Sequence, residues 1–294
     1  MSGKRTWDLT GSPISTTPGL LHASRCEPGI MPAPHWHAQI EINYVERGAL
    51  QYQMADHALS LPAGEIALFW GGLPHRLTDT GADTIYHVIH LPLPHFFRLR
   101  LPPGVQRGLM TGAVLAAAGA PAEEEALFGR IRAYLASGNS RRAAHAIDEL
   151  LLRLERIALE PHRLCGGRLG AAARGAEPGG HPALLRLFEA VAAVFRDEVR
   201  AADIAEAAGL HPKYAMSLFK RATGMSLADY VTLLRLSFAQ SRLVADEASV
   251  LEIALDAGFG SVSAFNKAFR RQTGTTPTAY RKSLVAGPRE LAAP

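Results

Sequence analysis

The chain has 294 residues, 48% of them hydrophobic and 20% charged, with a net charge of +4 and two cysteines. That is a globular composition, long enough for two domains with cores of their own, and it excludes a disulfide scaffold and a CxxC zinc site. No apolar run approaches a membrane span, and MSGKRTWDLTGSPIS has no apolar stretch behind its basic residues, so neither a spanning helix nor a secretory signal is expected.

Cys26 and Cys165 lie far apart, as suits a reducing cytoplasm. Lys and Arg exceed Asp and Glu by 14 to 11 from Ala183 onward and by 17 to 16 before it. Charge totals therefore do not mark a nucleic-acid partner; a patch on one face would have to.

From about Gly19 to Leu93, short alternations are broken by Pro and Gly. Ile40, Ile42 and Tyr44 alternate with Glu41, Asn43 and Val45; Tyr52 and Met54, then Ile66, Leu68 and Trp70, then Val88 and His90 follow. Such strands predict an all-β sandwich or barrel. From Ala122 to Glu160 the period turns helical, and Ile147, Leu150, Leu151, Leu154 and Ile157 share a face. That face could cover the barrel or join a second copy in a homodimer. Cys165 to Pro182 holds six glycines and no large apolar cluster, so it reads as a flexible linker. The expected organisation is 1–164 for the barrel domain, 165–182 for the linker, 183–286 for a helical domain and 287–294 for a tail.

The helical part contains a repeat. Ile253, Ala254 and Gly258 match Ile204, Ala205 and Gly209 at a spacing of 49, and Phe269, Gly274 and Tyr280 match Phe219, Gly224 and Tyr230 at 50. Each copy reads as helix, tight turn, helix. Gly258 suits the positive φ of a sharp turn, Phe259 plugs the space between the helices, and Ser261 is a suitable N-cap. Phe265, Ala268 and Phe269 then face inward, as do Ala215, Leu218 and Phe219 behind Leu210 and Pro212 in the first copy. Left outside are Lys213, Tyr214, Met216, Ser217, Lys220 and Arg221 in the first, and Ser261, Ser263, Asn266, Lys267, Arg270 and Arg271 in the second. Asn pairs with adenine and Lys with guanine in the major groove, while cations further along suit phosphates. An ordinary solvated helix face is the alternative for either copy alone. The 19 residues Leu227 to Ala245 contain no Gly or Pro. A helix of that length spans ~30 Å, close to the ~34 Å between successive groove turns on one face of DNA.

The pattern Gly258-Phe259, Ser261, Phe265, Phe269, Gly274, Pro277 and Tyr280-Arg281 resembles the signature of AraC/XylS-type transcription regulators. The resemblance covers about a hundred residues. It implies two helix-turn-helix units joined by a long helix, duplex DNA as partner, and RNA polymerase as a further one if the regulator activates. Leu210, where the second unit has Phe259, is a departure in the unit that varies more within that family.

The N-terminal part carries Gly29-(x)5-His35-x-His37-(x)3-Glu41-(x)6-Gly48, then Gly64-(x)7-Gly72-(x)2-His75. On a strand His35, His37 and Glu41 point to one face. With His75 they could hold a first-row divalent metal, could hydrogen-bond a small molecule, or could be satisfied within a barrel mouth. Trp36, Trp70 and Tyr44 could stack on a sugar or simply pack the core. The arrangement resembles both cupin motifs, departing at Trp70 and Asp79. HWH-(x)3-E-x-NY and the stretch Gly64 to Gly81 are most similar to a sugar-responsive regulator of the same family, which implies a sugar effector held by His35, Trp36, His37, Glu41, Trp70 and His75. The expectation is an α+β chain of two domains, a cupin-like β-barrel with following helices and an all-α domain. It would regulate transcription in the cytoplasm and not act as an enzyme. A cupin metalloenzyme with an accessory helical domain and a helical protein-interaction module are the competing readings.

Overall fold

The computed structural model of the protein describes residues 21–35, 37, 39–55, 57–166, 182–223, 225–245 and 247–285. The first half runs β1 (His22–Cys26), β2 (Ile40–Arg47), β3 (Ala49–Gln53), β4 (Ala58–Pro62), β5 (Glu65–Trp70), β6 (Arg76–Thr80), β7 (Ile85–Leu91), α1 (Leu93–Phe96), α2 (Pro103–Met110), β8 (Val114–Ala118), α3 (Pro121–Ala136), α4 (Ser140–Ile157) and β9 (His162–Cys165). The strands form an antiparallel six-stranded sheet of order β1-β7-β2-β5-β8-β9 and a three-stranded sheet of order β4-β3-β6.

Pairing of β2 with β5 sets Ile40 opposite Trp70 and Glu41 opposite Phe69, and so fixes two faces. Phe69, Val45, Leu50, Tyr52 and Leu77 pack on one side of that sheet. Ile40, Ile42, Tyr44, Leu68 and Trp70 belong to the other side, beneath the helices. The two-sided cover leaves every residue from Ile40 to Val45 buried, whereas β4 keeps the half-exposed alternation of a one-sided strand.

Two strands lie beyond the stretch that sequence alternation marked. β8 and β9 pair with each other, and β9 extends to Cys165, opposite Val114. Neither VLAAA nor HRLC alternates, so no period-2 signal distinguishes them. The face of Ile147, Leu150, Leu151, Leu154 and Ile157 joins the core of the same chain. It covers the fold, and so is not left over for a second copy. Between α3 and α4 a buried ion pair, Arg153 to Glu124 at 2.5 Å, carries hydrogen bonds from the same guanidinium to both Glu124 and Glu160. The linker expected at 165–182 lies, between Cys165 and Pro182, almost wholly outside the described residues, as do the N-terminal twenty residues and the tail.

The second half is α5 (Pro182–Val194), α6 (Ala201–Ala207), α7 (Pro212–Thr223), α8 (Leu227–Ala245), α9 (Val250–Asp256), α10 (Val262–Thr273) and α11 (Pro277–Val285). α8 spans the 19 residues read as a joining helix. Its N-terminal part and the pair α6–α7 share one continuous core with the barrel side, through Leu184, Phe188, Phe195, Phe219, Tyr230 and Leu234. The pair α9–α10 has a core of its own with Leu236, Ala239 and Leu243 of α8. Contact between the halves is specific. The Trp70 indole N–H donates to the Tyr230 hydroxyl at 2.9 Å. The Phe97 ring, just after α1, lies 5.7 Å from Phe195 and 5.8 Å from Phe238.

Candidate nucleic-acid interface and barrel histidine cluster

Both repeat units are built by the same local devices. In the second, the Ser249 hydroxyl accepts the Glu252 amide while Glu252 accepts the Ser249 amide, a reciprocal cap that starts α9. Gly258 then turns the chain at φ +84°, and a Cβ there would lie 2.5 Å from the Arg196 carbonyl oxygen. Glycine is needed at this position for conformation and for space. The Ser261 hydroxyl accepts the Ala264 amide and caps α10. Phe265 and Phe269 are wholly buried, with Phe259 5.2 Å from Phe265 and Tyr280 5.4 Å from Phe269. In the first unit Gly209 turns at φ +68° with open space where its Cβ would be, and Phe219 packs 5.2 Å from both Phe188 and Tyr230. Gly224 of the repeat lies outside the described residues.

This packing settles what faces out. Lys213, Tyr214, Met216, Ser217, Lys220 and Arg221 on α7 are exposed, and so are Ser261, Ser263, Asn266, Lys267, Arg270 and Arg271 at α10. Two hydroxyls already have partners: Ser261 caps its helix, and Ser217 accepts Arg221 at 2.7 Å. Tyr214 and Met216 are 48% and 40% exposed, large apolar groups on an outward face of a helix that has a full inner face without them. α10 borders a surface concavity of about 650 Å³ lined by Asn266, Lys267, Arg270 and residues of α11.

In the barrel, β2 and the bridge between His35 and His75 bring four of the expected residues together. Ligand atoms of His35, His37, Glu41 and His75 all lie within 4.8 Å of one another, and all four residues are buried. Glu41 is the hub. Its Oε2 is 3.0 Å from His37 Nε2, 3.4 Å from His75 Nε2 and 3.6 Å from His90 Nε2. Its Oε1 accepts the Asn43 amide at 2.9 Å and the Tyr52 hydroxyl at 3.1 Å. Burial works against the Glu41 charge, but hydrogen bonds from His37, His75 and His90 outweigh it and hold the carboxyl well below its usual range. Burial pushes His35 down to about 2, helped by neighbouring His75. It pushes His37 down to about 4 against the pull of Glu41. Both rings are therefore neutral at pH 7.

Sequence reasoning placed His90 on a strand but not in the site. Its position opposite Glu41 in the β2–β7 register puts it there, a pairing that local spacing does not reveal. Conversely, Trp70 is not with the histidines. One residue past Phe69, it points to the opposite face of β5 and meets Tyr230, packing in the core as the alternative reading of this residue has it. Tyr44 shares that face, stacked 5.6 Å from Phe128. Trp36 lies outside the described residues.

Comparison with known proteins agrees with both halves. The AraC-like ligand binding domain matches residues 17–154, and a helix-turn-helix domain matches residues 204–283. The melibiose operon regulatory protein of Escherichia coli is 30% identical over 261 residues, covering 87% of this chain and 85% of that one. The regulatory protein SoxS of Escherichia coli is 35% identical over 81 residues, 28% of this chain and 76% of SoxS. Among solved structures, the DNA-binding domain of AdpA in complex with a target DNA aligns with 37% of this chain and 98% of that one, at 29% identity and a TM-score of 0.33. Among the described residues no helix is long and apolar enough to cross a membrane. With its ligand-binding half and its helix-turn-helix half both matched, and a regulator related along most of its length, the chain belongs to the AraC family of DNA-binding transcription regulators.

Proposed function

We propose that the two outward faces of α7 and α10 read two successive major-groove segments, and that a sugar bound by the N-terminal domain sets how they do so. The observation that carries this is the pair of exposed polar helix faces held at the two ends of α8. Asn266 and Lys267 sit toward the start of α10, where side chains approach base edges, and Arg270 and Arg271 follow where phosphates lie. Lys213, Tyr214, Met216 and Ser217 occupy the matching part of α7, with Lys220 and Arg221 behind them. The units differ in residue and in the length of the turn segment, so they read different bases.

A sugar effector is supported by the similarity to the melibiose operon regulatory protein. The protein works in the cytoplasm as a regulator and not as an enzyme, with RNA polymerase as partner if it activates. For an effector to act, it must bind one docking state of the two halves better than another. The contact from Trp70 to Tyr230 is where such a state is made or broken.

The test is a binding selection on random duplexes followed by titration at several salt concentrations. Asn266→Ala and Lys267→Ala should each relax preference at one or two base pairs, costing about 1–3 kcal/mol at those positions. Arg271→Ala should weaken all sequences alike and lower the salt slope by about one. Unchanged DNA affinity in all three would place the recognition surface elsewhere.

A further inference from the structure

We infer that the first unit recognises a thymine by its methyl group, with Met216 packed on the C5-methyl in the groove, a reading that rests on the placement of α7 proposed above. α7 and α10 share one register. Thr223 and Thr273 end them alike: each hydroxyl donates to the carbonyl four residues back, of Phe219 or Phe269, at 2.8 Å. Both phenylalanines are wholly buried. The helices therefore match residue for residue at a spacing of 50. Lys213, Met216, Ser217 and Lys220 stand where α10 has Ser263, Asn266, Lys267 and Arg270. Each set follows the i, i+3, i+4, i+7 spacing of one helix face, and every member of both is exposed.

The two faces differ in chemistry at their centre. Asn266 and Lys267 bring donors to a base edge. In their places α7 has Met216, a thioether with no hydrogen to give, and Ser217, which accepts from Arg221 at 2.7 Å. Met216 is nonetheless 40% exposed, while Ala215, Leu218 and Phe219 fill the inner face of α7 without it. Among the described residues α10 exposes no large apolar side chain, so the difference lies in the first unit alone. On the major-groove edges of the base pairs the apolar group is the thymine methyl. A thioether on a flexible, unbranched stem adapts well to such a group. Lys213 and Lys220, three residues before Met216 and four after it on the same face, suit the phosphates on either side. Tyr214, also exposed, lies two residues from Met216 and so off this face.

The duplex that the full-length chain prefers among random sequences would be resynthesised with deoxyuridine in place of one thymine at a time. Uracil pairs as thymine does and lacks only the methyl. One such replacement should weaken wild-type binding about fourfold, the worth of one buried methyl group. Met216→Ala, a change on an exposed face, should bind the thymine and uracil duplexes equally. A duplex with no uracil-sensitive thymine, or a sensitivity that survives Met216→Ala, would overturn the assignment. Lys220→Ala tells its failure from that of the helix placement: with α7 on DNA, it should lower the salt slope by about one. A lowered slope without a uracil effect sinks the methyl contact alone, whereas an unchanged slope without a uracil effect sinks both.

Discussion

Replacing Tyr230 with phenylalanine removes one oxygen atom from the contact between the two halves. Trp70 and Tyr230 are each 2% exposed, so water cannot take the place of the lost hydroxyl. The ring should stay put, because Phe188 and Phe219 hold it at 5.6 and 5.2 Å. The indole has no lateral freedom to find another acceptor: a Cβ at Gly72 would lie 2.1 Å from its Nε1, so the backbone already presses on that edge. An N–H left buried and unpaired costs about 1–3 kcal/mol, more than the net worth of the bond itself. Tyr230→Phe should therefore lower stability in urea by that amount with an unchanged slope, the shared core making both halves report together. In a Trp70→Phe background no indole remains to be orphaned, so the second substitution should cost less by about 1 kcal/mol. A loss below about 0.5 kcal/mol in the natural chain, or an equal loss in both backgrounds, would refute the claim that this bond joins the halves.

Other substitutions separate conformation from space and charge from packing. Gly209→Ala should cost about 1–2 kcal/mol, the penalty of a left-handed conformation, whereas Gly258→Ala should cost clearly more because its methyl also meets the Arg196 carbonyl; thermal unfolding of the pair decides. Glu124→Ala should cost about 3–5 kcal/mol by leaving the buried Arg153 guanidinium with only its 3.4 Å contact to Glu160, while replacing Glu124 and Arg153 with leucine and methionine should recover most of it in the same melt. His95 is held down to about 4 by burial and then by Arg98, below its unfolded value of 6.5. It therefore contributes stability that is full above pH 6.5 and fades toward pH 4; His95→Gln should flatten that part of a stability–pH curve.

How much of this was legible beforehand depended on whether the signal was local. The repeat units were readable because caps, turn glycines and inward phenylalanines all act within a dozen residues, and α8 announced itself by the absence of Gly and Pro. The barrel was readable as strands. Parity grouped His35, His37 and Glu41, and the second motif's spacing added His75, but β2 begins only at Ile40, and it is an isolated bridge between His35 and His75 that brings the latter in. The partners of His90 and Trp70 were not legible, for a common reason. They are set by register with β2 and by docking of α8, contacts 49 and 160 residues away in the chain. The α4 stripe showed that it would be buried but not against what, since a stripe against its own barrel and one against another copy have the same period.

The two DNA units are not held alike, and this constrains how a signal from the barrel could reach them. The first shares its core with the barrel side, so any shift of β5 or α1 bears on it directly. The second has its own core with α8, and among the described residues it is also tied to the segment that carries Arg196. That segment is a junction. Arg235 of α8 donates to the Phe195 and Asp197 carbonyls at 2.6 Å each, Arg196 Nε donates to the Asp256 carbonyl at 3.0 Å, and the Phe195 ring faces Phe97 of the barrel half. From Tyr230 to Phe238 the barrel half touches α8 over about 12 Å of its length. A change of docking would therefore turn α8 and the first unit as one body and carry the second through Arg196. On this argument Tyr230→Phe should alter affinity for a full two-segment operator more than for a site cut down to the segment read by α10. An equal effect on both sites would mean that the second unit, not the first, receives the signal.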